Sequence, residues 1–297
     1  MRYLNLTKDF NPCDIHHPEE LVSFKAFQFP GGEPHIVIEP FHGEEDVHIT
    51  IRVQTFYDIG LLIMAEEALQ FMGCVGNLHL TIPYFPGARQ DRRMVEGEPL
   101  SAKVYAKLIN DMDFSSVTMF DVHSDVTPAL VEVSDSINNH AFVYHALLEQ
   151  GVWEEDPCEI QIVSPDAGAN KKIKDLVKYL YHLQPEFDFK VIKCDKTRDV
   201  ATGKISGFEI HSEIDSKAPL YIIDDICDGG GTFIGLGKEL IKKSAGHLHL
   251  IVSHGIFSRG TADLFSIFKT ITTTDSFIYH NVPDPQSLTR IPLSKVL

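Results

Sequence analysis

Cysteine is sparse in this chain and badly placed for pairing: Cys13, Cys74, Cys158, Cys194 and Cys227 are scattered through 297 positions without a CxxC spacing. An odd, dispersed set excludes a disulfide framework and a paired-cysteine zinc site, and it fits a reducing compartment. Also missing is any run approaching the roughly 18 apolar residues of a membrane span. The opening MRYLNLTKDFNPCD lacks the basic segment followed by an apolar run that a secretory signal carries. The expectation is a cytoplasmic protein with no membrane partner. Basic residues are in deficit, 26 Lys and Arg against 42 Asp and Glu, giving a net charge of −16. That field repels a phosphate backbone and argues against nucleic acid as a partner. A small anionic substrate still fits, because local cations reverse the potential inside one cleft. Gly and Pro, 20 and 16 residues, are at ordinary levels, and there are no low-complexity tracts, heptads or short repeats.

What is present is an alternation of short apolar runs with amphipathic stretches of about 12 residues, the pattern of βα units that build a helix-covered parallel sheet. Strands are expected at 47–53, 78–82 and 117–121, with helices at 59–72, 99–110 and 137–150. Leu100, Val104, Leu108 and Ile109 form the expected buried stripe of the middle helix, with Pro99 in its first turn. After the acidic segment GVWEEDPC at 151–158 the pattern starts afresh. Strands are then expected at 159–163, 189–193, 220–224 and 247–252, and helices at 169–182, 232–243 and 260–266. The division is accordingly 1–150 and 151–297, two α/β domains of similar size. In such domains ligands gather beyond the carboxyl ends of the strands.

The strongest local signal is YIIDDICDGGGTF at 221–233, an apolar strand ending in two carboxylates and a glycine-rich turn into a helix. Gly229, Gly230 and Gly231 allow close backbone approach, and with the Thr232 hydroxyl the helix start can cradle a phosphate. Asp224 and Asp225 suit sugar hydroxyls or a hydrated magnesium ion. A solvated turn with a capping aspartate accounts for the glycines equally well. Other strand ends carry PYFPGARQDRR at 83–93, FDVHSD at 120–125 and VSPDAGANKK at 163–172. Arg89, Gln90, Asp91, Arg92 and Arg93 read as a phosphate-recognising run or as a solvated surface run. His123 reads as a metal ligand or a structural histidine, and Asp166 as a functional carboxylate or the cap of a helix near Ala169. Lys196 and Arg198, in KCDKTRD at 193–199, lie on an expected loop whose composition suits a flap closing on polyphosphate. Cys13 with His16 and His17 reads as exposed loop residues rather than a metal site.

Taken in order, these segments resemble the ribose-phosphate pyrophosphokinases, or PRPP synthetases, from about Phe29 to the C-terminus. FPGGE at 29–33 is similar to that family's FxDGE, PYFPGARQDRR to its PYFxYARQDR, and EPLSAK at 98–103 to its EPITAK. FDVHS resembles DLHA, VSPDAGANKK resembles SPDAGG, and DKTR at 195–198 resembles the catalytic flexible loop with its KxR. IIDDICDGGGT is similar to DDxxDTGGT, and SHGIFSRG at 253–260 to THGxFSxxA. The resemblance implies two tandem phosphoribosyltransferase-like, Rossmann-like α/β domains with central parallel sheets. It also implies magnesium-dependent transfer of a diphosphoryl group from ATP to the anomeric hydroxyl of ribose 5-phosphate, with release of AMP. By position, it places His123 and Asp166 on MgATP, Arg89, Gln90 and Arg92 on its phosphates and base region, and Lys196 and Arg198 on the transition-state charge. Asp224 and Asp225 take the ribose hydroxyls and, through Asp224, a metal; Asp228, Gly229, Gly230, Gly231 and Thr232 take the acceptor's phosphate. Phe29 and Glu33 reach the adenine of a neighbouring subunit, which implies a homo-oligomer.

Three departures stand out. Gly229 replaces the family's threonine in the phosphate loop, Gly31 replaces its aspartate, and the Pro- and His-rich segment 12–24 replaces its first helix. A loop short of one hydroxyl suits a phosphate that continues into a further group, so ADP-ribose stands beside ribose 5-phosphate as acceptor. The first would place the protein in NAD salvage, the second in nucleotide biosynthesis. Two competing functions are a phosphoribosyltransferase that consumes a 1-diphosphate sugar and a catalytically inactive regulatory subunit.

Overall fold

The chain divides into two α/β units, Met1–Asn138 with Pro292–Leu297, and Asn139–Ile291. The computed structural model describes all residues except 14, 16, 42–44, 74, 155–158, 167, 199–204, 244–245 and 279–287, and omits the side chains of 75, 197, 198, 205 and 206.

The first unit begins with β1 (Arg2–Asn5), a hairpin of β2 (Phe24–Gln28) and β3 (Pro34–Ile38), and β4 (Glu45–Thr50). There follow α1 (Phe56–Met72), β5 (Val75–Thr81), α2 (Ser101–Asn110), β6 (Ser116–Phe120), α3 (Val126–Leu130) and β7 (Ser134–Ile137). The strands other than the hairpin form a parallel sheet of order β1-β4-β5-β6-β7. Val47, Ile49, Leu78 and Leu80 bury the sheet face, and Ile59, Leu62, Ala65 and Leu69 of α1 bury with them. The start of α1 is fixed by Asp58, whose carboxylate accepts the N–H groups of Gln54 and Thr55 at 2.9 and 2.7 Å. Helix α2 departs from the expected stripe: Ala102, Ala106 and Ile109 are buried while Val104 is 52% exposed. Small alanines one turn apart bring the helix close to its neighbours, which rotates Val104 to solvent. Pro99 precedes the helix instead of lying in its first turn.

The second unit comprises α4 (His140–Glu149), β8 (Glu159–Ser164), α5 (Asn170–Leu183), β9 (Asp188–Arg198), β10 (Ile205–Ile210) and β11 (Leu220–Cys227). It continues with α6 (Gly231–Lys242), β12 (Leu248–Gly255), α7 (Ala262–Phe265), β13 (Thr270–Thr274) and β14 (Leu288–Ile291). The sheet order is β10-β9-β8-β11-β12-β13-β14, parallel except for the antiparallel pair of β9 and β10. Central strands β11 and β12 are buried end to end apart from Asp224, the continuous apolar run of a sheet covered on both faces. The sequence-based division placed α4 with the first domain, yet its packing lies in the second unit. Tyr144 stacks on Trp153 at 5.6 Å and accepts a hydrogen bond from Gln184 at 3.2 Å. No helix of the described residues is long and apolar enough to cross a membrane.

Near the amino end of β12, His249 is buried, stacked on Tyr221 at 4.8 Å, with Nδ1 2.8 Å from Thr270 Oγ1. Burial first, then the charges of Lys269 and His247, lowers its pKa from 6.5 to about 4. Between those values the unfolded chain takes up a proton that the folded protein refuses, so stability is full above pH 6.5 and is lost as pH falls toward 4. The expected loss from this group is about 3 kcal/mol. His48 in the first unit, lowered to about 4 by burial and by His79, adds to the same acid limb. Thermal unfolding from pH 7 to 4 should show the midpoint falling, with a shallower fall in His249→Gln. An identical pH profile in that variant would discharge His249 as a cause.

Candidate active site

In the second unit, four charged side chains predicted from sequence come together toward the carboxyl ends of the strands: Asp166 just past β8, Lys196 within β9, and Asp224 and Asp225 within β11, which runs on to Cys227 where the sequence suggested an end at Asp224. Lys196 Nζ donates to Asp166 Oδ2 at 2.6 Å, and Asp166 Oδ1 accepts the N–H of Ala169 at 3.0 Å. Asp166 therefore both fastens the start of α5 and holds a lysine; the two readings of it are one arrangement. Burial pushes its carboxyl upward, but the bond and charge of Lys196, with the N–H groups of Ala169 and Gly168, outweigh burial and hold it below the usual carboxylate range. Lys196 also acts on Asp224. There the balance is reversed: burial, followed by the charge and hydrogen bonding of Asp225, raises the Asp224 carboxyl well above the usual range. The Asp225 N–H donates to Asp224 Oδ1 at 3.0 Å, and Asp225 itself is buried. Asn139 and Lys172 line the same crevice as the two aspartates.

The segment expected to be a loop at 193–199 is strand through Arg198. Lys196 pairs with Phe208 and Arg198 with Ile205 across the β9–β10 hairpin. The partner strand is what extends β9, and it lies in the polar stretch after it, which carries little apolar alternation. The Arg198 side chain and residues 199–204 lie outside the described residues.

Beyond β11 the chain enters the turn Asp228–Thr232. Gly230 takes φ 75° as the N-cap of α6, and a Cβ there would lie 3.0 Å from Leu264, so glycine is required twice over. The first N–H groups of α6 have no intrahelical acceptor, and the helix dipole favours an anion before them. The turn after β12 is fastened beside this loop: the N–H groups of Ile256 and Phe257 donate to the Cys227 carbonyl at 2.9 and 3.1 Å. Ser258 Oγ donates to Asp228 Oδ1 at 2.5 Å. A Cβ on Gly229 would lie 3.3 Å from Cδ and Nε of Arg259. Ser258 and Arg259 were given no role from sequence, although their place just past a strand end was the available signal.

In the first unit the arginine run has a buried anchor. Asp91 is gripped by Arg92 through Nε at 2.9 Å and a terminal nitrogen at 3.2 Å. That bond, with Ser124 and the nearby His123, holds the Asp91 carboxyl below its usual range against burial. Arg89, Gln90, Arg92 and His123 are exposed around it. Phe29 and Glu33 face each other across the β2–β3 turn, with the Phe29 N–H donating to the Glu33 carbonyl at 2.9 Å. Phe29 is 47% exposed and packs on Phe27 and His35 at 5.1 and 5.4 Å. The Glu33 carboxylate fills the space over Gly31, where a Cβ would lie 2.6 Å from Oε2.

Magnesium takes hard oxygens, commonly one or two carboxylates completed by water and substrate phosphates. Asp166 and the Asp224–Asp225 pair supply such donors, and the mutual repulsion that raises Asp224 is what a divalent cation would relieve. These residues fit the ion. Cys13, expected to be an exposed loop residue, is half-buried with Sγ 3.9 Å from His48 Nε2, and burial pushes its thiol up to about 11; His16 lies outside the described residues. Among the described residues no group of three or more His, Cys, Asp or Glu could hold a metal by itself.

No family model matches the chain. Curated relatives do. The ribose-phosphate pyrophosphokinase of Mycoplasmopsis pulmonis is 27% identical over 213 residues, covering 72% of this chain and 61% of that protein's length. A putative ribose-phosphate pyrophosphokinase 2 of Streptococcus mutans is 27% identical over 279 residues, 91% of this chain and 80% of the relative. The Mycoplasma pneumoniae ribose-phosphate pyrophosphokinase is 29% identical, with 78% and 67% covered. The crystal structure of phosphoribosylpyrophosphate synthetase from Mycobacterium smegmatis superposes with a TM-score of 0.75 at 18% identity, covering 99% of this chain and 95% of that one. That likeness establishes the fold, two α/β units built on parallel or mostly parallel sheets. In its ordered strand-end motifs and across most of its length, the chain is similar to ribose-phosphate pyrophosphokinases at 27–29% identity.

Proposed function

We propose that this chain is a ribose-phosphate diphosphokinase-type transferase, moving the β,γ-diphosphoryl group of ATP to the C1 hydroxyl of a 5-phosphorylated ribose. The observation that carries the reading is Lys196, bonded to Asp166 and acting on Asp224 beside a glycine-rich helix start. In the reaction the anomeric oxygen bonds to the β-phosphorus and gives up its proton to water, the bond from that phosphorus to the α–β bridging oxygen breaks, and AMP leaves with that oxygen. Little covalent chemistry is asked of the protein beyond in-line positioning and charge stabilisation.

Asp224 and Asp225 accept hydrogen bonds from the ribose hydroxyls, while the loop from Asp228 to Thr232 receives the acceptor's phosphate. Lys196 and Arg198 meet the charge that spreads over the transferring group. His123 and Asp166 hold the nucleotide with its magnesium, Arg89, Gln90 and Arg92 its phosphates and base region, and Phe29 and Glu33 the adenine of a second copy in a homo-oligomer. Magnesium, when bound, neutralises phosphate charge and polarises the transferring group. The acceptor is ribose 5-phosphate or a 5-extended ribose such as ADP-ribose, and Gly229 favours the extended one because the loop carries no hydroxyl of its own at that position, where the Arg259 side chain lies instead.

The test supplies ATP and magnesium with ribose 5-phosphate or ADP-ribose in parallel and identifies products by mass. AMP formed together with the acceptor's 1-diphosphate is the expected result. Preference for ribose 5-phosphate makes the product PRPP for nucleotide biosynthesis, and preference for ADP-ribose points to NAD salvage. No acceptor-dependent AMP would overturn the proposal in favour of a regulatory subunit.

A further inference from the structure

We propose that Arg259 is the specificity-determining residue for the acceptor, its guanidinium binding the outer phosphate of a ribose whose 5-substituent is a diphosphate. The inference rests on the reading of the Asp228–Thr232 loop as the acceptor's phosphate site. Its ground is the geometry at Gly229, where Cδ and Nε of Arg259 lie 3.3 Å from the position of a Cβ. A side chain at 229 and Arg259 in this position compete for the same space, so the loop's missing hydroxyl is replaced by a longer, charged donor.

The turn that carries Arg259 is built to hold it there. Phe257 is buried with φ 50°, the Gly260 N–H donates to the Phe257 carbonyl at 2.8 Å, and Ser258 is bonded to Asp228 at 2.5 Å. Arg259 is exposed and makes no hydrogen bond or ion pair with another described residue, which leaves its planar fork of donors available in a chain of net charge −16. Backbone N–H groups and the Thr232 hydroxyl suit an inner phosphate at the helix start. A guanidinium on the open side suits a second one, where bidentate, charge-assisted contacts are strong.

Arg259→Ala should lower kcat/KM for ADP-ribose by about 10- to 100-fold, and for ribose 5-phosphate by less than about threefold, with KM for ATP unchanged. Arg259→Lys should recover part of the loss as a point charge without the fork. Equal losses for the two acceptors, or none, would overturn the assignment. Calorimetry of ADP-ribose with the ATP-free protein separates this from failure of the reaction. If the natural chain binds ADP-ribose but releases no AMP, the transferase reading fails, and Arg259 stands on a tenfold or greater weakening in Arg259→Ala. Undiminished binding in that variant, or no binding by the natural chain, overturns it.

Discussion

Replacing Lys196 by alanine is expected to lower turnover of AMP release by about 100- to 1,000-fold while ATP affinity changes by less than about threefold. The asymmetry follows from where the ammonium sits. It is bonded at 2.6 Å to Asp166 and acts on Asp224, between the residue proposed for the nucleotide and the one proposed for the acceptor. A charge placed there contributes most when negative charge moves between the two, a situation that exists only in the transition state. Asp166 would keep its second oxygen on the Ala169 N–H at 3.0 Å, so the start of α5 survives the change. Its carboxyl, no longer held down by Lys196, would titrate closer to the ordinary range, which NMR of the labelled carboxylate would detect. Equal loss of turnover and ATP affinity would make Lys196 a ground-state binding residue instead.

The second large effect is expected at Asp224. Asp224→Asn should raise the acceptor's KM by about 100-fold, with ATP binding retained, because a half-buried carboxylate, in its proposed place on the sugar hydroxyls, accepts stronger hydrogen bonds than a neutral amide. The same change should stabilise the metal-free protein near neutral pH. Asp224 is harder to ionise folded than unfolded, since burial and Asp225 oppose its charge. Folding therefore loses stability as pH rises from the ordinary carboxylate value through the raised one. Asparagine removes that loss, and the thermal midpoint in chelator should rise by about 2–4 °C. Added magnesium should raise the midpoint of the natural chain more than that of the variant. A lower midpoint for the variant in chelator would contradict the repulsion between the two aspartates.

Much of this site was legible because parallel α/β units place polar residues at strand ends. Asp224, Asp225, Asp166 and Lys196 follow runs whose apolar character announces a buried strand. The Lys196 strand was harder: β9 reaches Arg198 only because β10 pairs with it, and the intervening sequence has no alternation to reveal that partner. In β13, TITTT reads as polar, yet Thr272, Thr273 and Thr274 are fully buried, with Thr274 donating to the Ser253 carbonyl at 2.6 Å. The arginine run drew notice to its cations, while its buried member is Asp91, gripped by Arg92. Arg259 was invisible because an exposed arginine in a turn has no periodicity to set it apart; only the space above Gly229 gives it a role.

The two glycines that replace larger family residues each have an occupant from elsewhere in the chain. Glu33 fills the space over Gly31 with Oε2 2.6 Å from a Cβ position, and Arg259 the space over Gly229 at 3.3 Å. Each place is thus a character written by two residues, and the order of change matters. Aspartate restored at 31, or threonine at 229, would meet a charged group already there; the same substitution made after the occupant is shortened would not. A single substitution at either glycine displaces a mobile charged side chain, whereas paired libraries at 31 with 33 and at 229 with 259 would vary the glycine and its occupant together.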